Sequence, residues 1–311
     1  MKTKHKEPFW SYFKHHKMLY LMMVPMLAFL FAFNYLPIWG LSLAFREYVP
    51  GMPLFPWMEG ITWVGFKNFI TLWKSIYTIR YFMNTLILSV YLIVFGFFPP
   101  IIFALFVNEI VHRKYKRIVQ TVSYLPYFIS TAIVGGLVVN FLGTNGGVVN
   151  QVIELFGGTP TMFLNDIRYF RTIYVIVHIW KNFGWGSILY LAAIASINPD
   201  LYEAVRIDGG GRWRQMWHIT LPGIKPTIFI LMVLSMGGIL GGGDIEMIRM
   251  LWNRGNMAVS STMAFQIFRD GILASKYAQA TALGLLVSVV GLITTVSVNA
   301  ANRKLTGFSL W

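Results

Sequence analysis

Cysteine is absent from the 311 residues, which excludes a disulfide framework, a thiolate nucleophile and any cysteine metal site. Charge is scarce too. Only 12% of the chain is Asp, Glu, Lys or Arg, about half of what a soluble domain carries, while 56% is hydrophobic. The acids are the scarcer sign, 12 against 26 Lys and Arg, and none is paired credibly for acid/base work. The six histidines, His5, His15, His16, His112, His178 and His218, show no i, i+4 ligand pairing, so no metal site is expected. Internal repeats and low-complexity tracts are missing. The net charge of +14 does not indicate nucleic acid, because the basic residues lie in short runs between apolar segments and not on one polar domain.

What is present is a series of long apolar runs. A helix needs about 20 mostly apolar residues to cross the hydrocarbon core. Six stretches qualify: Met18 to Phe45, Tyr81 to Val107, Ile118 to Leu142, Thr172 to Ile197, Thr227 to Leu240, and Ala278 to Asn302. The expected fold class is an all-α polytopic membrane protein with six transmembrane helices. The fifth run is short unless Pro222 to Gly243 is included, which leaves a broken helix open there. With the N-terminus inside, the inner connections hold 15 Lys and Arg in 68 positions and the outer ones 10 in 99. This bias predicts both termini in the cytoplasm. The first apolar run follows a basic segment as a signal peptide does, but it is long and lacks a small-x-small cleavage site, so it reads as a retained span. The expected organisation is a cytoplasmic segment 1–17, a first span and outer loop 18–80, a transmembrane core 81–302 and a cytoplasmic tail 303–311. Residues 143–160, GTNGGVVNQVIELFGGTP, read as a turn, a short amphipathic helix and a turn on the outer surface.

One inner connection, EAVRIDGGGRWRQMWHITLP at 203–222, is too polar to span and too patterned to be only a linker. Asn198 and Pro199 form a helix start, with Asp200 and Glu203 in the first turns, where the helix dipole favours acids. Gly209 is a helix stop. A second short helix then runs to Leu221 and Pro222. One reading of this helix-turn-helix is an amphipathic loop on the lipid surface, with Trp213 and Trp217 in the interface and Arg212 and Arg214 on phosphates. The other is a coupling element that fits a groove on a cytoplasmic partner.

Glu203, Ala204, Val205, Gly209, Ile219, Leu221 and Pro222 stand at the spacing of the EAA loop of binding-protein-dependent ABC importer permeases, with Val205 in place of the third alanine. The flanks WKNFGWGSILYLAAIASINPDLYEAVRIDGGGRW and LPGIKPTIFILMVLSMGGIL, and the outer stretch NGGVVNQVIELFG, resemble the carbohydrate-importer branch, the lipoprotein- or oligosaccharide-type permeases. Residues 241–272 resemble it less. The resemblance implies the type I importer permease (MetI-like) fold and a subunit that performs no chemistry. A second homologous permease would complete the path, two ABC ATPases would bind ATP and Mg, and an extracytoplasmic binding protein would deliver an oligosaccharide. GGGRWRQ lacks the Lys and hydroxyl of a phosphate loop, so this chain itself needs no cofactor. Glu203, Ala204, Val205, Asp208, Gly209, Ile219, Leu221 and Pro222 would form the ATPase-coupling set.

The translocation path is read from the fourth run. Trp180, Lys181, Asn182 and Trp185 combine aromatic faces with hydrogen-bonding groups that suit a sugar, and intramembrane ionisable residues are functional by default. Lys181 snorkelling or pairing with another helix is the alternative. Asn34, Asn84 and Asn140 read as interhelical hydrogen bonds, and the glycines of GGILGGGD as close helix contacts or a span end. A secondary transporter would be expected to show inverted repeats and intramembrane carboxylates. A membrane-embedded enzyme would need a nucleophile and base at one depth, and Ser187 is poorly phased with Lys181 for that role. Neither alternative finds support in these residues.

Overall fold

The computed structural model describes residues 13–237 and 243–306. Most of the expected segment 1–17, the centre of GGILGGGD with Leu240, and the end of the 303–311 tail lie outside the described residues. Among the described residues all regular structure is helical, apart from one isolated antiparallel bridge between Arg46 and Trp63.

Helix α1 (Lys17–Leu30) continues through a π turn (Phe31–Tyr35) and a 3-10 stretch (Leu36–Phe45), where Pro25 and Pro37 each withhold a backbone donor. A short α2 (Lys67–Lys74) precedes α3 (Ile76–Gly96) and α4 (Phe98–Asn108), which together make a 33-residue apolar span. Pro99 and Pro100 fall in the first turn of α4, where a missing N–H costs nothing.

The third expected span needs correction. Ile118 to Leu142 is not one straight crossing: α5 (Arg113–Phe128) and α6 (Thr131–Leu142) meet at 93°. Ile129 and Ser130 are extended, and the Ser130 hydroxyl accepts from Ile133 N at 3.3 Å, so the chain starts a new helix there. The predicted outer amphipathic helix is α7 (Val148–Leu155).

Helix α8 (Ile167–Ala195), 29 residues, is about 43 Å long at 1.5 Å per residue and is the central post, with α3, α4, α5 and later helices packed on it. The Asp166 carboxylate caps it by accepting from Arg168 N at 2.8 Å. Its glycines allow close crossing: a Cβ on Gly184 would lie 2.0 Å from the Ser123 carbonyl oxygen of α5. His178, Lys181 and Asn182 lower its hydropathy, and it is not one of the three helices, Lys17–Phe45, Ile76–Asn108 and Tyr277–Lys304, that are apolar enough to span unaided among the described residues.

Beyond α8 come α9 (Pro199–Ile207) and α10 (Arg212–Gly223), the latter containing a π turn at Met216–Thr220. Helix α11 (Lys225–Gly237) leaves α10 at 55°, the broken fifth span that the sequence left open. Then follow α12 (Ile245–Leu251), α13 (Met257–Ser260), α14 (Met263–Phe268) with a π turn at Arg269–Leu273, and α15 (Tyr277–Thr306).

Three apolar cores hold the helices. Leu88, Val134, Phe170, Tyr174 and Ile248 join α3, α6, α8 and α12. Ala44, Leu72, Met263, Ala282 and Leu283 fix the end of α1 to α2, α14 and α15. Ile101, Ala104, Tyr190, Ile194 and Ile224 join α4 and α8 to the start of α11, beside the 198–222 loop.

Candidate coupling loop and intramembrane polar site

The 198–222 loop folds from local signals. Asn198 Oδ1 accepts from Asp200 N at 3.1 Å and Pro199 occupies the first helical position, so α9 starts as its sequence dictates. It ends at Gly209, whose φ of +76° lies in the left-handed region. Gly209 N donates to Arg206 O at 3.0 Å and Gly210 N to Val205 O at 2.7 Å, the paired bonds of a Schellman cap. Val205, the departure from the third alanine, is half-buried and packs over the turn. A Cβ on Gly210 would lie 2.4 Å from its Cγ1, so the second glycine is a packing requirement of Val205.

Two side chains fix the loop to the membrane helices. The Tyr202 hydroxyl lies 3.0 Å from the Thr220 hydroxyl, joining α9 to the π turn of α10. That turn forms where Pro222 has no N–H to offer, and Leu221 N reaches back to Met216 O instead. Arg212 Nη1 donates to Glu109 O at 3.3 Å, tying α10 to the end of α4. Ile219 is buried and Leu221 half-buried against the bundle. Glu203, Ala204, Asp208 and Pro222 are exposed, Ile207 is 86% exposed, and α9 has no buried residue. A groove of about 340 Å³ between α9, α10 and the end of α4 is lined by Glu109, Tyr202, Glu203, Arg206 and Arg212. Trp213 and Trp217 are 64% and 58% exposed, and Trp213 meets Phe106 edge-on at 6.3 Å.

The four residues from the fourth run do not share one site. Lys181 Nζ donates to Thr131 Oγ1 at 2.5 Å. Thr131 Oγ1 in turn donates to Asp244 Oδ2 at 3.0 Å, while Asp244 Oδ1 caps α12 by accepting from Glu246 N and Met247 N at 2.9 and 3.2 Å. The Tyr174 hydroxyl accepts from Asp244 N at 2.6 Å. A hydroxyl-bridged relay thus links α8, α6 and α12 at the bend between α5 and α6. Trp185, one turn on from Lys181, stacks on Tyr127 of α5 at 4.6 Å and 5°. Trp180 points elsewhere, into an apolar groove of about 420 Å³ with Val134, Leu137, Phe141, Ile173 and Ile176. Asn182 Nδ2 donates to His178 O at 2.8 Å on its own helix.

The relay is not legible in the sequence, because 50, 113 and 70 residues of chain separate the bonded pairs Lys181–Thr131, Thr131–Asp244 and Asp244–Tyr174. Asn84 is an interhelical hydrogen-bonding residue, donating to Ala258 O and Ser261 O at 2.8 and 3.1 Å and accepting from Arg171 Nη2 at 3.2 Å. Asn34 and Asn140 are exposed. No group of three or more His, Cys, Asp or Glu is placed to hold a metal among the described residues.

Residues 96–307 match the family model described as "Binding-protein-dependent transport system inner membrane component". Protein LplB of Bacillus subtilis is 38% identical over 94% of this chain and 90% of its own length. The polygalacturonan/rhamnogalacturonan transport system permease protein YteP of the same organism is 38% identical over 93% of this chain and 88% of its own length. In the crystal structure of a bacterial ABC transporter involved in the import of the acidic polysaccharide alginate, one chain superposes with a TM-score of 0.86 at 40% identity, covering 96% of this chain and 99% of that one. The alginate transporter in complex with alginate pentasaccharide-bound periplasmic protein gives a TM-score of 0.87 at 39% identity, over 98% and 100% of the two chains. This chain belongs to the family of binding-protein-dependent transport system inner membrane components, which carry solute across the membrane and are not enzymes.

Proposed function

We propose that this chain is one of two permease subunits of an importer for oligosaccharides of acidic sugars. A second homologous permease completes its path, an extracytoplasmic binding protein delivers the cargo, and two cytoplasmic ATPases carry ATP and Mg. The cargo class rests on the relatives, one permease of a polygalacturonan/rhamnogalacturonan system and one chain of an alginate importer. Both termini and the 198–222 loop lie in the cytoplasm on this reading.

The observation that carries the coupling role is α9. It is capped at both ends, fastened through Tyr202 to α10 and so to α11, and exposes Glu203 and Ala204 with none of the described residues over them. A helix built this firmly and left uncovered is suited to seat in an ATPase groove and pass its movement to α8 and α11. ATP shifts such an equilibrium only through differential affinity for the two states, so a loose joint would waste the input. In the path, the assigned groups are Lys181 and Trp185, which share a face toward the α5–α6 bend. Trp180 and Asn182 play a lesser part there.

The test is reconstitution of this chain with its paired permease, ATPases and binding protein in liposomes. ATP-dependent uptake of labelled uronate oligosaccharides is the expected result. Uptake without ATPases, or none of any saccharide, overturns the reading.

A further inference from the structure

The cavity with the largest volume among those described shares no lining residue with the 198–222 loop or with the Lys181 relay, and neither the coupling set nor the path uses it. It encloses about 680 Å³ between the loop after α1, helix α2 and the turn into α15. That volume is in the range of about 300–1,000 Å³ typical of small-molecule sites. Its lining is mixed: Val49, Pro50 and Val64 stand beside Lys67, Asn68, Thr71, Lys276 and Gln279, with the ring of Tyr48 as its aromatic wall.

Three observations give the cavity a sign and a shape. First, Lys67 and Lys276 are exposed to it and neither is ion-paired to a described residue, so two ammonium groups face one opening with only Glu47 of opposite charge among the lining residues. Second, Arg46 lies beneath, 1% exposed, its guanidinium 5.6 Å over the Tyr48 ring. Its Nη1 donates to Pro53 O at 3.2 Å and its Nη2 to Leu54 O, while Nε has no partner and no carboxylate compensates the charge among the described residues. A buried cation held only by carbonyls leaves positive potential under the aromatic wall. Third, Ser275 takes φ +54°, a left-handed conformation uncommon for a side-chain-bearing residue, and is held there by Ala274 N to Arg269 O at 3.0 Å and Lys276 N to Asp270 O at 2.7 Å. Strain of this kind concentrates at ligand clamps, and here it sets the turn that brings Lys276 to the cavity.

Resting on the carbohydrate reading above, we infer that this cavity is a binding site for a carboxylated sugar unit. The two lysines take the carboxylate, and the Tyr48 face takes the apolar side of the pyranose ring. The amide oxygen of Asn68, whose nitrogen is already spent on Ala44 O and Arg46 O at 3.0 and 3.1 Å, accepts from a ring hydroxyl, as does Glu47. The site lies outside the membrane-crossing path and would hold cargo on the outer face.

The test uses the complete importer in nanodiscs without binding protein, and equilibrium dialysis of labelled tri-galacturonate against the same trimer with its carboxyls reduced to alcohols. Wild type should bind the acid form and the double substitution Lys67→Gln, Lys276→Gln should weaken it at least about tenfold, or ~1.4 kcal/mol. Lys67→Arg with Lys276→Arg should keep it, and the reduced trimer should bind weakly to all three. No acid-selective binding by wild type, or equal binding by the Gln variant, overturns the site. Uptake by the full importer with its binding protein separates the two readings. Import of the acid trimer without direct binding sinks the cavity alone, whereas no saccharide import sinks the cargo class and the cavity with it. A Gln variant that loses uptake of acid and reduced trimers alike marks the lysines as contacts for the binding protein, and this too overturns the sugar site.

Discussion

The hydroxyls of Tyr202 and Thr220 meet at 3.0 Å across 18 residues of chain, and this contact is what makes two short helices one lever. Thr220 is 1% exposed, and its hydroxyl also donates to Gln215 O at 3.5 Å. Tyr202→Phe therefore removes the tie while keeping the ring. The expected cost to stability is only about 1 kcal/mol, but solute moved per ATP hydrolysed should fall several-fold. An unchanged transport-to-hydrolysis ratio in proteoliposomes would refute the lever.

Gly209 must adopt φ +76°, which proline cannot, being fixed near −65°. Gly209→Pro should leave the subunit inserted and assembled but uncouple uptake from ATP. Gly209→Ala meets no neighbour within 4 Å and faces only the left-handed penalty of about 1–2 kcal/mol, so its loss should be partial. Normal uptake by an assembled Gly209→Pro complex would sink the coupling assignment.

Gly210 and Val205 should show strong coupling between substitutions. Gly210→Ala places a methyl 2.4 Å from Val205 Cγ1 and is expected to lower uptake. Val205→Ala, which restores the third alanine, should recover part of it, with the Val205 carbonyl 2.9 Å away limiting the rescue. Additive effects in a double-mutant cycle on uptake would contradict the packing account.

Gly184→Ala should be among the most damaging single methyl additions to the chain. The new Cβ would lie 2.0 Å from Ser123 O, a backbone atom that no rotamer change moves away. Overpacking costs typically run to about 1–3 kcal/mol, and here α5 must separate from α8. Thermal unfolding of the purified complex should shift down clearly; an unchanged midpoint would show that the crossing is loose.

Asp244 has two duties that substitution separates. Asp244→Asn keeps an acceptor for Glu246 N and Met247 N but removes the negative end of the Lys181–Thr131 relay, so stability should hold while uptake falls. Asp244→Ala loses the cap as well, at about 0.5–2 kcal/mol. Equal uptake by the Asn variant and wild type would reduce the relay to a structural role.

What could be read in the sequence was what is local. Asn198, Pro199 and Gly209 determine where α9 begins and ends through bonds that reach at most five residues, and those boundaries appear where the residues put them. The bend at Ile129–Ser130 was hidden because its signal, a serine able to cap a helix, sits inside an apolar run that passes every test for a single span. Pro126, three residues before the break, was the available hint. Lys181 and its partners lay beyond local reasoning altogether: nothing in Thr131 or Asp244 announces that a helix 50 or more residues away will present an ammonium to them. Trp180, Lys181 and Asn182 are neighbours in sequence but point about 100° apart on a helix, which is why proximity in the chain did not make them one site.

Helix α1 has no buried residue, and it is held through the end of the 3-10 stretch that continues it, where Ala44 packs with Ala282 and Leu283 of α15. Those partners are encoded roughly 240 residues later, so at about 5–20 residues per second the first helix waits on the order of 12–50 s for them during synthesis. Through that interval a surface made mostly of Met, Leu and Phe suits it to stand in lipid before those partners arrive.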